Sequence, residues 1–353
     1  MTGAAQAFPP AVSQQAVWDG YFGPALNGNR WAERVFLRSG VEQRHTVVDP
    51  TQEDISHWST AARMRRYAAE GTTLAKAAVA GALDHAGVAP ERVGLLAVAS
   101  CTGYAAPGVD IRVANELGFD AGAQRLLIGH MGCYAALPAL GAVADHARLH
   151  GTTAVLLCLE LTSLHLQGNL TAGGGEALDL DQLVTHALFG DAAAAVVVTP
   201  GAGPEPGGLA LVDVVSRTDP ATADHMTWEV TDSGFRMTLS RRVPDVLARY
   251  VGPLVDELCR RNGRTASGVA AWAVHPGGPR VIDVVAEQLG LSDEQVHESR
   301  LVLAQRGNCS SATILLVLEE IRRRRDLRPG DAVVALAFGP GLTLYAALLE
   351  VRA

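Results

Sequence analysis

The chain has 353 residues, a formal net charge of −8, 48% apolar residues and 19% charged residues. This length allows a large core, either as one two-part domain or as two domains. Because it is acidic and lacks a dense run of Lys and Arg, we expect no nucleic-acid partner. No uninterrupted apolar stretch of about 18 residues is present, so we expect no membrane partner.

The cysteines and the N-terminal residues indicate in which cellular compartment the protein is expected. Residues 1–12 are rich in Ala and Pro and lack a basic start followed by an apolar run, which predicts no signal peptide. The five cysteines are an odd number, widely spaced and without a C-x-x-C pair. This pattern favours reduced thiols over a disulfide frame or a zinc site. We therefore expect a cytoplasmic protein without a metal.

The first half alternates apolar strands with amphipathic helices after an irregular arm at residues 1–30. Apolar spacing predicts a long helix over 60–87 that ends at Gly87, a residue type favoured just beyond a helix. The other predicted elements, in chain order, are a helix at 31–39, a buried strand at 93–100, a small-residue loop at 101–107, a helix at 110–117, buried strands at 126–128 and 153–159, a mobile loop at 173–175, and a glycine turn with a strand within 186–200.

The second half repeats this pattern after a Gly- and Pro-rich linker at 199–208. Its predicted elements are a strand at 269–274, a helix at 279–289, a helix at 310–323, and strands at 332–337 and 342–351. Strands that alternate with helices twice over predict a duplicated α/β unit. We place its halves at residues 1–199 and 200–353.

One stretch of the first half carries a candidate nucleophile. The strand at 126–128 is followed by a turn with Gly129 and Gly132, then Cys133, then an apolar helix to residue 149. A helix N-terminus stabilises a thiolate, and nearby glycines leave space for a substrate. Pro138 should bend this helix or loosen its first turns. The alternative is that Cys133 is a small buried hydrophobe.

Two turns of the second half carry candidate partners for Cys133. His275 ends a predicted strand and precedes a Pro/Gly turn, which suits a rigidly held catalytic imidazole. Asn308 lies in a small-residue turn that opens a helix, where its amide could donate to an oxyanion. The alternatives are a hydrogen-bonded loop histidine and a helix N-cap asparagine.

Together these motifs resemble a known family. Gly-Cys-Tyr-Ala at 132–135, His-Pro-Gly-Gly-Pro at 275–279, Gly-Asn-Cys-Ser-Ser-Ala at 307–312 and Phe-Gly-Pro-Gly-Leu at 338–342 follow one another as in the type III polyketide synthases, the chalcone synthase family. The resemblance runs from about residue 31 to 351 and includes Leu-Phe-Gly-Asp at 188–191. The Gly-Gly-Pro after the histidine distinguishes this family from ketoacyl-ACP synthase III.

The resemblance implies a thiolase-like fold of duplicated α-β-α-β-α layers, a homodimer, and a Cys133–His275–Asn308 triad. His275 would lower the pKa of Cys133 by ion pairing and keep its thiolate reactive below pH ~7. The thiolate would take an acyl group from an acyl-CoA starter. His275 and Asn308 would then stabilise the enolate left when malonyl-CoA loses CO2. CoA thioesters are substrates here, and no cofactor or metal is required.

Further roles follow from the same matching. Phe189 and Met237 fall on the two positions that separate the CoA tunnel from the cavity, the second of which is Phe in plant enzymes. Arg34 and Arg38 fall on CoA-phosphate positions, and Ala106 falls where a residue reaches the partner's cavity. His130 and His186 are interpreted as structural. The cavity-lining positions are Cys101, Thr162, His165, Trp228 and Ser310.

Three functions remain open at this point. The first is an iterative synthase that makes a small pyrone or phenolic product; His165 and Trp228, large where plant enzymes have Thr and Gly, favour a short starter or few extensions. The second is a single-condensation ketosynthase or an acyltransferase that uses acyl-CoA. The third is a non-enzymatic partner subunit, which the unbroken triad argues against.

Overall fold

The structure, a computed structural model, describes residues 1–168, 170, 178–201 and 208–352. Two sheets lie on either side of a central helical layer, and further helices cover their outer faces. The predicted loop at 173–175 and most of the linker at 199–208 lie outside the described residues.

The strands are β1 (Gly3–Ala7), β2 (Ala11–Ser13), β3 (Gln43–His45), β4 (Val93–Ala99), β5 (Gln124–Ile128), β6 (Thr153–Glu160), β7 (Ala192–Val198), β8 (Leu209–Thr218), β9 (Met226–Thr231), β10 (Gly234–Leu239), β11 (Val269–Val274), β12 (Ala332–Gly339) and β13 (Thr343–Val351). The α-helices are α1 (Gln14–Val17), α2 (Gly23–Ala25), α3 (Arg30–Leu37), α4 (Thr60–Ala86), α5 (Val109–Leu117), α6 (Ala136–His150), α7 (Leu180–Leu188), α8 (Val243–Arg261), α9 (Pro279–Leu289), α10 (His297–Arg306) and α11 (Ala312–Arg324).

The two main sheets share one topology. The first has the order β1-β7-β6-β4-β5, and the second has the order β8-β13-β12-β11. In both, the first two pairings are antiparallel, and the next pairing, β6 with β4 or β12 with β11, is parallel. Strand β5 has no counterpart in the second sheet among the described residues. This repeat confirms the duplicated α/β unit expected from the sequence.

The core is layered around helices α6 and α11. Both lie between the sheets and share one apolar cluster with β4, β6, β7, β11, β12 and β13. Helix α4 covers the outer face of the first sheet, and helices α8 and α9 cover the outer face of the second. The strands of the first sheet read as continuous apolar runs, because helices bury both faces.

Three expectations about the first half need correction. Residues 1–30 are not an irregular arm, because β1 pairs antiparallel with β7 and α1 and α2 follow. The strand at 126–128 is not buried, because β5 is an edge strand on which Leu126 is 40% and Leu127 58% exposed. Pro138 does not interrupt α6, since it lies in the first helical turn, where the backbone N–H has no intrahelical acceptor.

Between residues 209 and 268 the sequence predicted no elements, but the structure has β8, the hairpin β9–β10 and helix α8. The hairpin forms a separate two-stranded sheet beside the end of β6 and helix α7. It supplies one wall of the site described below. No helix within the described residues is long and apolar enough to cross a membrane.

Candidate active site

Cys133 lies in a tight turn at the entrance to the central layer. A 3-10 turn, Gly132–Tyr134, follows strand β5 and leads into helix α6. Gly132 has φ +70°, and a Cβ there would come within 2.8 Å of Pro340 Cδ from the second half. The glycine therefore allows the Phe-Gly-Pro-Gly-Leu turn after β12 to pack against the nucleophile turn.

His275 follows strand β11 on the opposite sheet. Its backbone N–H donates to Leu336 O at 2.8 Å, which continues the pairing of β11 with β12. The side chain is buried and meets Phe338 edge to face, with ring centroids 6.1 Å apart. Neither ring nitrogen has a hydrogen-bond partner among the described residues. A buried imidazole with both nitrogens unpaired is poised to bond a ligand.

Asn308 lies in the turn before helix α11, and its side-chain orientation is fixed. Its Oδ1 accepts from the Ser310 N–H at 2.9 Å and the Thr313 hydroxyl at 3.3 Å. The amide nitrogen is therefore left to donate into the cavity. Asn308 Oδ1 is 4.0 Å from Cys133 Sγ. Asn308 thus bonds within the turn at the entry to α11, as a helix N-cap would, and its side chain also lies next to Cys133.

The electrostatics do not match the ion pair expected from the sequence. Burial raises the pKa of Cys133 to about 12, although hydrogen bonding of its sulfur with Ser310 and Asn308 acts in the opposite direction. Burial lowers the pKa of His275 to about 3. In both groups burial favours the neutral form, and both side chains line the outer cavity. An unprotonated imidazole has a free lone pair, which can accept the thiol proton as the sulfur attacks a substrate.

Two cavities meet at Cys133. The outer cavity, about 230 Å³, is lined by the triad residues, by α3 and α7, and by the turn after His275. The inner cavity, about 240 Å³, reaches from Cys133 to hairpin β9–β10. Phe189 and Met237 line both cavities. The structure therefore places these two side chains at the boundary where the sequence analysis expected a gate.

The inner cavity contains four of the five expected lining residues, namely Cys101, Thr162, Trp228 and Ser310. Trp228 is held across it, because its indole N–H donates to Cys101 O at 2.8 Å. His165 instead lines an adjoining cavity of about 50 Å³ together with Trp228. Its Nδ1 accepts from the Phe235 N–H at 2.9 Å and its ring stacks on Phe235 at 4.2 Å.

Burial favours the neutral form of His165 and His186. Burial lowers the pKa of His165 to about 4 and that of His186 to about 3. His186 accepts from the Gln167 N–H at 3.3 Å and lies outside the inner cavity, in line with a structural role. His130 has φ +48° and lines the inner cavity. From the sequence, His130 is expected near the site with a structural role, and the structure puts it on the wall of the inner cavity.

Sequence reasoning missed a buried carboxylate beside the inner cavity. Glu160, the last residue of β6, accepts from the Cys101 N–H at 3.1 Å, the Thr102 hydroxyl at 2.8 Å and the Ser311 hydroxyl at 2.5 Å. Burial raises its pKa, and its charge raises the pKa of Cys101 and Cys133. A lone Glu at a strand end gives no sequence signal.

Arginines surround the outer cavity. Arg34 on α3 and Arg38 just after it are exposed, and their neighbours Val35 and Ser39 line this cavity. Arg241 and Arg280 line it directly and were not singled out from the sequence. Guanidinium groups match the geometry of phosphate oxygens. Two arginines and one carboxylate, Asp181, thus line this cavity, so its wall carries an excess of positive charge although the whole chain is acidic.

A duplicated five-layer fold that brings a cysteine, an imidazole and a carboxamide to the junction of two cavities defines a thiolase-fold condensing enzyme. Family models agree with this class. Residues 7–204 match the N-terminal domain of chalcone and stilbene synthases, and residues 210–352 match the C-terminal domain. The chain belongs to this family: it is a type III polyketide synthase, an acyltransferase that performs decarboxylative condensation.

Two bacterial relatives cover most of the chain. An alpha-pyrone synthesis polyketide synthase-like protein of Mycobacterium tuberculosis is 32% identical over 330 residues, which are 90% of this chain and 81% of the relative. The 1,3,6,8-tetrahydroxynaphthalene synthase of Streptomyces peucetius is 35% identical over 327 residues, which are 90% of this chain and 84% of the relative.

Solved structures show the same fold. The bacterial type III polyketide synthase 1,3,6,8-tetrahydroxynaphthalene synthase of Streptomyces coelicolor superposes with a TM-score of 0.90 at 26% identity, over 99% of this chain and 98% of that one. The PKS-I of the brown alga Ectocarpus siliculosus gives a TM-score of 0.89 at 27% identity, over 99% and 97%. These likenesses confirm the expected thiolase-like fold.

Proposed function

We propose that Cys133 carries the growing acyl chain and that His275 and Asn308 act on both substrates. Cys133 Sγ attacks the carbonyl of an acyl-CoA starter while His275 accepts the thiol proton. The tetrahedral intermediate then collapses, the acyl-Cys133 thioester remains, and the CoA thiolate leaves with the proton from His275. The observation that carries this proposal is the convergence of the three side chains at the junction of two cavities.

The extension step uses the same donors. Malonyl-CoA enters the outer cavity, loses CO2 and becomes an enolate of acetyl-CoA. The Asn308 amide donates to the enolate oxygen, and so does the ring N–H of His275 in its neutral form. The enolate carbon attacks the acyl-Cys133 carbonyl, the C–S bond breaks, and the chain leaves on CoA two carbons longer. Donation from these two groups requires no metal or other cofactor.

The shape of the inner cavity supports a small product. Trp228 spans this cavity of about 240 Å³ and is fixed by its bond to Cys101 O. His165 and Phe235 pack behind Trp228, so the wall has little room to move. Two relatives are named for an alpha-pyrone and a tetrahydroxynaphthalene. We therefore assign a short starter, malonyl-CoA-type extenders and a small pyrone or phenolic product.

The experiment that tests this function combines a panel of acyl-CoA starters with ¹⁴C-carboxyl-labelled malonyl-CoA. We expect labelled CO2 release, a starter-dependent acyl adduct on Cys133, and a cyclised product two or more carbons longer than the starter. An adduct without CO2 release would instead support a plain acyltransferase. A single extension without cyclisation would support a single-condensation ketosynthase. Turnover of long-chain starters through three or more additions would contradict the small-cavity assignment.

We also assign a homodimer built on the edge of the first sheet, as the family resemblance implies. Strand β5 presents the half-exposed Leu126 and Leu127 at this edge, and Ala106 is exposed. Unpaired apolar edge strands are a natural surface for a second copy. Sedimentation equilibrium should give a dimer, which Leu127→Lys should dissociate and Leu149→Lys, at an 80% exposed position, should not. A monomeric wild type would contradict this assignment.

A cytoplasmic location completes the proposal. All five cysteines are free thiols in the structure, and four of them are buried. Free thiols persist in a reducing compartment. Fractionation of the native host with antibody detection should recover the protein with cytoplasmic markers, and recovery from a secreted fraction would contradict this location.

A further inference from the structure

A buried arginine outside both larger cavities binds the backbone that carries the gate. Arg44, on strand β3, is 5% exposed. Its guanidinium donates to His186 O at 2.5 Å, Ala187 O at 2.7 Å and Phe189 O at 2.8 Å. These carbonyls lie at the C-terminal end of helix α7, where the last carbonyls lack intrahelical donors. A cation there also complements the negative end of the helix dipole.

Gln14 completes this arrangement from helix α1. Its side chain is buried, and its Oε1 accepts from the Arg44 guanidinium. Its amide donates to Ala187 O at 2.9 Å, Phe36 O at 3.0 Å and Ser39 Oγ at 3.0 Å. Gln14 therefore ties the end of α7 to the end of α3, which carries the exposed arginines of the mouth.

The same segment of backbone is bonded to the catalytic turn. The Asn308 N–H donates to Leu188 O at 2.8 Å, and the Gly190 N–H donates to Asn308 O at 3.0 Å. These two bonds make Phe189 and Asn308 bridge partners in a short parallel pairing. The chains cross closely, because a Cβ on Gly307, at φ +70°, would lie 2.8 Å from Leu188 O. A shift of the end of α7 would thus move the gate and Asn308 together.

We infer that Arg44 and Gln14 are positioning residues that fix the gate side chain Phe189 and the enolate-stabilising Asn308 relative to Cys133. Arg44 lines neither the outer nor the inner cavity; it lines the adjoining cavity of about 50 Å³, which Phe189 also lines. Cys133 is held by its own turn and helix α6, to which neither Arg44 nor Gln14 is hydrogen-bonded. The network should therefore support decarboxylation more than acyl loading. This inference deepens the proposed function and rests on the assigned role of Asn308.

A second buried arginine provides a matched control. Arg63 is fully buried on helix α4 and donates to four backbone carbonyls, those of Ile55, Trp58, Leu164 and Leu166. It contacts neither Phe189 nor Asn308 and lines none of the three cavities. Arg44→Met and Arg63→Met thus remove the same kind of buried donor set from two different places.

The test measures two half-reactions in both variants. We expect Arg44→Met to lower malonyl-CoA decarboxylation about 10- to 100-fold, the scale of a displaced catalytic group. The rate of acyl transfer to Cys133 should change less than about threefold. Both rates are measured in the same enzyme preparation, so that their ratio can be compared. Arg63→Met should keep the ratio of the two rates. Equal losses in both half-reactions of Arg44→Met, or the same altered ratio in Arg63→Met, would overturn the inference.

Hydrogen exchange supplies a readout that needs no activity. In Arg44→Met, peptides that contain Gly190 and Asn308 should exchange at least about tenfold faster, because their mutual bonds open more often. In Arg63→Met these peptides should stay protected. Retained protection in Arg44→Met would overturn the inference. If wild type releases no CO2, the proposed function fails, and exchange alone still decides whether Arg44 holds this backbone.

Gln14→Leu is a second variant that tests the same network if Arg44→Met does not fold. It keeps the buried cation and removes one acceptor and three donor contacts. We expect a smaller change of the same kind, about a fivefold fall in decarboxylation with loading unchanged, and faster exchange at Asn308. A Gln14→Leu enzyme with wild-type decarboxylation and wild-type exchange would contradict the inference independently.

Discussion

The turns that open the two central helices occupy equivalent places in the two halves but carry different chemistry. In the first half, the turn before α6 follows strand β5 and holds Cys133. In the second half, the turn before α11 follows helix α10 and holds Asn308. Each helix then leads into an equivalent strand, β6 or β12. The duplicated scaffold thus brings Cys133 and Asn308, the proposed nucleophile and oxyanion donor, within 4.0 Å of each other.

The difference shows how one backbone plan serves two tasks. The second half has a buried cysteine next to its turn, Cys309, but its Sγ is 3.5 Å from Arg306 O and lines neither larger cavity. The first half has Cys133 at the junction of both cavities. The two thiols therefore differ in their access to the cavities, and this difference supports Cys133 rather than Cys309 as the proposed acyl carrier.

The largest effect should come from removing the thiol of the first turn. We expect Cys133→Ala to abolish the acyl adduct and lower product formation on the order of 10⁴- to 10⁶-fold, the scale of losing a catalytic nucleophile. Intact-protein mass spectrometry and product analysis would measure both. Cys309→Ala, in the equivalent turn, should keep the adduct. An adduct that moved to another residue without loss of rate would refute the assignment.

The pH dependence of Cys133 distinguishes a neutral pair from an ion pair. Burial raises the pKa of this thiol to about 12, so its thiolate should accumulate only as the pH rises. Alkylation of the free enzyme by iodoacetamide should therefore increase about tenfold per pH unit, or about 10³-fold from pH 6 to pH 9. His275→Gln should leave this slope unchanged. A plateau that extends below pH 7 and disappears in His275→Gln would show an ion pair instead.

Removing the donor of the second turn should separate the two half-reactions. We expect Asn308→Ala to lower malonyl-CoA decarboxylation by about 10²- to 10³-fold, the usual effect of losing one oxyanion donor. Loading of Cys133 should fall much less, because the thiol and His275 remain. Asn262→Ala, at the end of α8, is the control and should leave both steps intact. Equal losses of loading and decarboxylation would argue against this division.

Enlarging the inner cavity should change the product rather than the chemistry. We expect Trp228→Ala to accept longer acyl-CoA starters about tenfold faster, since an apolar pocket discriminates by the space that it offers. Product masses from a starter series would measure this. Val230→Ala lies on the same hairpin at a 67% exposed position and should leave the products unchanged. An unaltered product series in Trp228→Ala would exclude Trp228 as the size-limiting wall.

The smallest effect should come from the mouth of the outer cavity. Arg38→Ala removes one exposed cation, so we expect KM for CoA thioesters to rise about 2- to 5-fold with kcat unchanged. The difference should shrink as salt is added. Arg148→Ala, 69% exposed at the far end of α6, is the control. A change in kcat without a change in KM would place Arg38 outside phosphate binding.

Much of the fold followed from the sequence because its signals are local. Continuous apolar runs predicted strands β4, β6, β11 and β12, and Gly87 marked the end of helix α4, where it has φ +62°. The hairpin β9–β10 gave no such signal. The N-terminal strand β1 was missed as well, since it is a short run of small residues whose pairing with β7 is a long-range contact.

By itself, the sequence determined the family and the order in which the motifs occur, and it supplied the proposed triad of Cys133, His275 and Asn308. The tertiary structure decided the burial and the pKa values of those residues. Burial, a property of the whole fold, raises the pKa of Cys133 and lowers that of His275, which is opposite to the direction of the expected ion pair. It also decided that β5 is an exposed edge, that Glu160 lies beside the inner cavity, and that Arg44 and Gln14 bond the backbone at the end of α7. Desolvation and long-range backbone pairing depend on residues distant in sequence, and no local pattern encodes them.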